Sequence, residues 1–267
     1  MKLNKSRSGL DAIKRQADIV DKSNVVLDKQ EGTYLEMYSY DSGPFVNNYL
    51  RHGINVNYQE DFFPPESRIA RDSHGRTARL LKVVDRLPST GNVTLYRGGS
   101  GQRGTSGIFF RTGQIKVGDI LVNTDFSSFT ESLVTAFEFA MVKAEDGDHF
   151  DDTSVIFMLG NNLSAKVMAP YSLRSKEPYF EAESLMPPGH AFKVCAVEIK
   201  HVEGGGRVVE VKLEEVNMIK SIVRKGVFSS SIEFPDNVYD LRTGDKIDID
   251  CLIERLGIDE VKKLGII

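Results

Sequence analysis

The chain has 267 residues, 40% hydrophobic and 27% charged, with a formal net charge of -4. That balance describes an ordinary soluble globular protein with room for a large core, and it argues against nucleic acid as the main partner. No apolar run is long enough to predict a membrane span. Residues 1–30 carry five basic residues before position 16 and a weak helical pattern from Leu10, Ile13, Ala17, Ile19 and Val20. A loosely held helix and a disordered leader fit that stretch equally well. Met1 to Ser8 is basic and polar without an apolar core, so no Sec-type signal peptide is expected. Next come a turn at Asp41-Ser42-Gly43-Pro44 and a short helix from Phe45 to Arg51, which His52-Gly53 ends. Pro64-Pro65 punctuates a loop. Ile69, Ala70, Ala78, Leu80, Leu81, Val84 and Leu87 then predict an amphipathic helix, or a pair of helices, up to Pro88.

After Gly91 the texture becomes β-like. Strands are predicted over 92–96, 117–123 and 155–159, with a short helix over 133–143 between the last two. Further strands fall near 165–169, 179–186, 191–200 and 207–216, with Gly204-Gly205-Gly206 as a hairpin turn. Helices first and antiparallel strands afterwards indicate an α+β fold, a helical N-terminal part followed by two packed, mainly antiparallel β-sheets. The main domain is expected over 31–217. A C-terminal extension over 218–267 should pack on it and carry a terminal helix around Asp259 to Leu264. Cys195 and Cys251 are too few for a disulfide framework, and their apolar neighbours in sequence point to reduced structural thiols in a reducing cytosol.

Three segments carry chemistry. Val93-Thr94-Leu95-Tyr96-Arg97-Gly98 ends a strand on an arginine beside glycine, an arrangement suited to a phosphate, although an edge-strand arginine has the same pattern. Phe126-Ser127-Ser128-Phe129-Thr130 sets the hydroxyls of Ser128 and Thr130 on one face of a strand, with Phe129 toward the core, although a strand running into a helix cap reads the same way. Tyr179-Phe180-Glu181-Ala182-Glu183 places two carboxylates one residue apart. In an extended segment they share a face, and their like charges raise at least one pKa.

Two other patterns lead elsewhere. Gly99-Ser100-Gly101-Gln102-Arg103-Gly104 matches a dinucleotide fingerprint, but the β-like Ile108-Phe109-Phe110 follows where a helix should begin. The acidic run Asp146 to Asp152 lacks the glycine and terminal glutamate of a calcium loop, and the five histidines show no ligand spacing, so no metal is predicted.

Taken in order, the Leu-Tyr-Arg strand, the aromatic-x-Ser-x-Thr strand and the Glu-x-Glu turn before Leu185-Met186-Pro187-Pro188-Gly189 resemble the R-S-E signature of mono-ADP-ribosyltransferases, in the branch of arginine-modifying toxins and effectors. Phe45 to Arg51 is similar to that family's helix ahead of the first strand, and Phe139 resembles the aromatic bordering its nicotinamide pocket. Phe129 departs from the family, which usually has Thr there. The resemblance spans roughly 35–216.

It implies NAD as a substrate that donates ADP-ribose, and a target protein as acceptor. Glu183 would meet the ribose hydroxyl and the developing cation, Arg97 a phosphate, the Gly98 backbone the nicotinamide amide, and Ser128, supported by Thr130, would orient Glu183 and the nicotinamide ribose. Phe139 would stack near the nicotinamide or else serve the core. Glu181 would receive a guanidinium, with Tyr179 and Phe180 against the target. An NAD glycohydrolase, transfer to serine or threonine, and an inactive partner-binding descendant of the fold are the alternatives. Delivery by a specialised secretion system into a host cytosol is one route open to a chain of this kind.

Overall fold

The amino-terminal helix starts from a cap. Ser8 Oγ accepts the Asp11 N–H at 3.2 Å, and α1 runs over Gly9–Lys22. In the computed structural model the described residues are 8–52, 73–105, 107–202, 206–216 and 237–247. A reciprocal capping box between Asp28 and Glu31 starts α2, Lys29–Met37. The turn expected at Asp41–Pro44 is instead helical: one wide π-type turn, Tyr38–Ser42, feeds directly into α3, Gly43–His52. The amphipathic stretch forms α4, Ser73–Arg86. Pro64-Pro65, Ile69, Ala70, Gly204-Gly205, Cys251 and the helix expected near 259–264 lie outside the described residues.

These helices make one layer. Leu35, Val46, Leu80 and Val84 pack with Leu185 of the sheet and with Phe126 and Met168, which flank strands. Full burial of a side chain of that size is worth roughly 1.5–3 kcal/mol, so this contact is the main reason the helices stay on the sheet.

The strands are β1 Leu95–Gly99, β2 Ile120–Val122, β3 Ser127–Thr130, β4 Val155–Leu159, β5 Lys166–Val167, β6 Glu183–Met186, β7 Ala191–His201, β8 Arg207–Val216 and β9 Val238–Asp240. They form one hydrogen-bonded order, β5-β6-β3-β1-β4-β8-β7-β2-β9. Neighbours are antiparallel except β4 with β8 and β2 with β9.

The two packed layers expected from the sequence are the two halves of this sheet. Phe129 on β3 and Phe192 on β7 are four strand positions apart, roughly 19 Å in a flat sheet. Their ring centres are 6.3 Å apart. The sheet therefore curls until its halves face each other over a core that includes Leu95, Phe157, Val194 and Val211.

Two short helices complete the frame. Ile108–Arg111, expected to be β-like, forms a single turn, α5, with Phe110 edge-on to Phe157 at 5.8 Å. The preceding Gly107 N–H donates to Thr153 O at 2.7 Å, which leaves the segment beside the start of β4 and not in a ladder. Helix α6, Leu133–Ala140, is capped by Ser132 and lies across β1. A Cβ on Gly98 would stand 1.8 Å from Ala136 O, so this glycine is what lets α6 approach the strand. Both neighbours of β1 are antiparallel, which excludes a dinucleotide-binding βαβ unit around the Gly99–Gly104 motif.

The first and the last described segments join this frame. β9 extends the sheet beside β2. On α1, Arg15 binds the Glu131 carboxylate through Nε and Nη2 and donates to Thr90 O at 2.9 Å. Gln16 is fully buried; it donates Nε2 to Ser184 Oγ at 3.0 Å and to Ala182 O at 3.4 Å, and its Oε1 accepts the Met168 and Ala169 N–H groups. The thiol expectation for Cys195 is corrected: at the β7 irregularity between Val194 and Ala196 the side chain faces outward, exposed, with Sγ 3.7 Å from Glu214.

Gln16→Met keeps the volume of the side chain but leaves two buried N–H groups without acceptors. Urea unfolding should show a loss of about 2–4 kcal/mol with an unchanged far-ultraviolet circular dichroism spectrum.

Candidate active site

The curl of the sheet and the lie of α6 leave an open pocket lined by Arg97 and Gly98 of β1, Ser128 and Thr130 of β3, Phe139 of α6, and Glu181 and Glu183. Every residue singled out in the sequence for a role in NAD chemistry lines this pocket. Register does most of the assembly. Tyr96 pairs with Thr130, and Thr130 with Glu183, so the three side chains lie in one row across β1, β3 and β6. Ser128, two residues before Thr130, shares that face.

Ser128 Oγ donates to Glu183 Oε1 at 2.6 Å. Burial raises the pKa of Glu183, while hydrogen bonds from Ser128 and Ser172 pull it back, with weaker help from Arg174 and Arg97. Arg97 stands differently. Its Nη1 donates to Ser128 O at 2.9 Å, and its Nε is buried without a hydrogen-bond partner. Burial and the neighbouring Arg242 lower its pKa, and Asp125 raises it. A buried guanidinium with an orphaned N–H at the wall of an open pocket is suited to an anionic group.

Glu181 reaches the pocket by an unexpected path. The strand begins only at Glu183; before it, Phe180 and Ala182 adopt left-handed backbone conformations, with φ of 45° and 48°. A non-glycine residue held there costs on the order of 1–3 kcal/mol, so neighbours must hold the turn. Thr130 Oγ1 donates to Glu181 O at 2.8 Å, and Glu181 N–H donates to Arg174 O at 3.0 Å. A Cβ on Gly9 would stand 2.2 Å from Phe180 O, so the start of α1 presses directly on the same turn.

The pKa of Glu181 is raised from 4.5 to about 7, first by burial and then by the charge of Glu183, against the pull of Arg174 and Arg103. It is therefore poised to exchange a proton near neutrality.

Several residues around the pocket were not picked out from the sequence. Thr135 and Ala136 line it with Phe139, a spacing of four and three that a helical reading of 133–143 contains. Ser172, Arg103 and Arg174 lie in irregular segments with no periodicity to place them. Beneath Arg97 lies a charged layer. Asp125 pairs with Arg51 at 3.0 Å and Arg242 at 3.5 Å, and Thr124 donates to Asp240 at 2.6 Å. Among the described residues no helix is long and apolar enough to cross a membrane.

A curled sheet with helices stacked on one side is the fold of ADP-ribosyltransferase toxins. Vis toxin from Vibrio splendidus is similar to this chain with a TM-score of 0.60 at 18% identity, over 92% of this chain and 98% of that one. Plx2a from Paenibacillus larvae gives 0.55 at 17% identity over 78% and 96%, and the Clostridium limosum C3 exoenzyme 0.53 at 13% over 81% and 98%. Vis has also been solved in complex with agmatine. No protein-family model and no curated protein matches the chain.

The raised Glu181 pKa carries a stability signature. The folded protein holds a proton that the unfolded chain releases near 4.5, so stability should fall as pH rises from about 4.5 through about 7. Glu181→Gln should remove that slope, as read by thermal unfolding at a series of pH values. Parallel curves for the two proteins across the window would mean that Glu181 is solvated like an ordinary carboxylate.

Proposed function

We propose that this protein is a mono-ADP-ribosyltransferase that cleaves NAD and transfers ADP-ribose to arginine on a target protein, in the manner of a bacterial toxin or effector. The observation that carries the reading is the Ser128–Glu183 hydrogen bond at 2.6 Å in a pocket shared with Glu181 and Arg97. The fold shared with Vis, Plx2a and C3 exoenzyme supports it.

The bond to break joins the nicotinamide nitrogen to C1 of its ribose. Nicotinamide leaves neutral with the bonding electrons, and positive charge develops on the ribose as in glycoside cleavage. Glu183, fixed by Ser128, supplies the negative charge and accepts from the ribose hydroxyl. Its setting is preorganised, so the gain appears where charge develops and not in the ground state. Arg97 holds a phosphate and the Gly98 backbone the nicotinamide amide. Phe139 borders the ring.

The acceptor is a separate problem. A protonated guanidinium has no free lone pair with which to attack, and Glu181, with a pKa of about 7, takes its proton as the new C–N bond forms. Agmatine carries the same guanidinium in a small molecule, and its presence in a Vis complex makes it the natural first acceptor to try.

With NAD and agmatine, Glu183→Ala should lower both nicotinamide release and transfer, by about 100-fold or more. Glu181→Ala should lower transfer by about 100-fold while nicotinamide release to water persists. Equal loss of both reactions in Glu181→Ala would refute the division of labour. Release unaffected by any acceptor, in the wild type, would identify an NAD glycohydrolase instead. For the wild type, transfer should rise with pH through about 7 and then level, following deprotonation of Glu181.

A further inference from the structure

Glu181 and Glu183 line the same pocket, but the backbone supports them unequally. Glu183 opens β6, pairs with Thr130 of β3 and takes the Ser128 hydrogen bond. Ladder pairing ends at Glu183 on the β3 side and at Ser184 on the β5 side. Glu181 lies beyond both ends, between the left-handed residues Phe180 and Ala182. Released, those two residues would relax toward extended backbone. The place of Glu181 therefore depends on contacts that Glu183 does not need.

Helix α1 supplies several of them from behind the pocket. Gly9, Ala12 and Gln16 recur at the spacing of one helix face, and Ala12 and Gln16 are buried. At one end of that face Gly9 sits against Phe180 O, where an added Cβ would stand 2.2 Å away. At the other end Gln16 has no exposed surface, and a polar side chain buried so completely is kept by its hydrogen bonds. Its Nε2 donates to Ala182 O at 3.4 Å and to Ser184 Oγ at 3.0 Å, one on each side of Glu183. Its Oε1 accepts the N–H groups of Met168 at 3.2 Å and Ala169 at 3.1 Å, just after β5. One amide thus fastens the turn residue Ala182 to two parts of the sheet.

We propose that Gln16 is a positioning residue for the acceptor step: from the buried face of α1 it holds the turn that carries Glu181, and so sets how cleaved NAD divides between a guanidinium and water. The inference rests on the division of labour between Glu183 and Glu181 in the function proposed above. Gln16 does not line the pocket and acts only through the backbone of Ala182. Without its amide, Ala182 O loses a donor, the turn gains extended conformations and Glu181 leaves the acceptor's path. Glu183 stays in the ladder with Ser128. Water needs no base for a guanidinium, so NAD is still cleaved and the ribose is taken by water.

The test gives the full chain NAD and agmatine and measures ADP-ribosyl-agmatine and total nicotinamide in the same sample. The ratio of the two cancels any loss of folded protein, so lower stability alone does not change it. In Gln16→Met, transfer per nicotinamide released should fall about 10-fold or more. The pH of half-maximal transfer should also drop from about 7 toward the ordinary carboxylate range, because a freed Glu181 loses its burial and its nearness to Glu183. Gly9→Ala pushes on Phe180 O from the far end of the same face and should lower the ratio in the same direction. An unchanged ratio in Gln16→Met overturns the proposal, and so does a lowered ratio with the pH midpoint still at about 7. Where Gln16→Met yields no folded protein, Gly9→Ala decides by the same two readings. If Glu181→Ala separates transfer from release and Gln16→Met does not, only the positioning role falls. If Glu181→Ala fails to separate them, the arginine-directed reading falls with it.

Discussion

A carboxylate buried in a protein wall is tolerable only where donors meet it, and the pocket is organised around meeting Glu183. Ser128 gives it a hydrogen bond at 2.6 Å from the neighbouring strand, and Ser172 adds a second from the irregular segment that precedes the turn. Those donors oppose the burial that raises the Glu183 pKa; without them burial would drive it further toward the neutral acid. The antiparallel pairing of β3 with β6 is therefore more than scaffolding. A slip of one residue would turn Ser128 and Thr130 to the opposite face and leave Glu183 unsatisfied, so the chemistry and the fold select the same register.

Glu181 answers to a different constraint. Among the described residues no comparable donor meets its carboxylate, and its pKa is raised to about 7, which the proposed role of acceptor base would use. The backbone on either side of it is left-handed at Phe180 and Ala182, and a chain left to itself would relax into a strand. Three segments outside the turn, two of them distant in sequence, prevent this. Thr130 holds the Glu181 carbonyl, the Arg174 carbonyl holds its N–H, and α1 presses Gly9 against Phe180 while Gln16 reaches Ala182 and Ser184. The amino-terminal helix thus belongs to the machinery of the turn even though none of its side chains lines the pocket.

That division explains what could be read in the sequence. Strands β4, β7 and β8 and helix α6 carry strong periodicity, and the predicted spans match the observed ones within a few residues. The pocket residues were legible because their chemistry is unusual for a core: an arginine after an apolar strand, spaced hydroxyls, two close acids. The reason given for Glu181 and Glu183 meeting was wrong in detail, since a regular strand does not connect them. What escaped was whatever depends on tertiary contact. Gln16 looks like a surface polar residue in a basic leader, and nothing local reveals that it is buried with four partners. Ile108-Phe109-Phe110 has the composition of a strand, but the chain coils into one helical turn there and buries Phe110 on Phe157. Cys195 has apolar neighbours along the chain yet falls on the outward side of an irregular strand.

The charged layer under Arg97 joins these points. Arg97 comes from β1, Asp125 from the approach to β3, Arg51 from the end of α3 and Arg242 from the residues after β9, so four distant stretches meet at one carboxylate. Among the described residues the Asp125 carboxylate is acted on by Arg51, Arg242 and Arg97, and Arg97 keeps a buried N–H without a partner. Such a donor is costly to leave unmet, and under the proposed function a pyrophosphate is the kind of group that would meet it. A phosphate held there would tie β1 more firmly to a layer that already joins α3, the approach to β3 and the residues after β9.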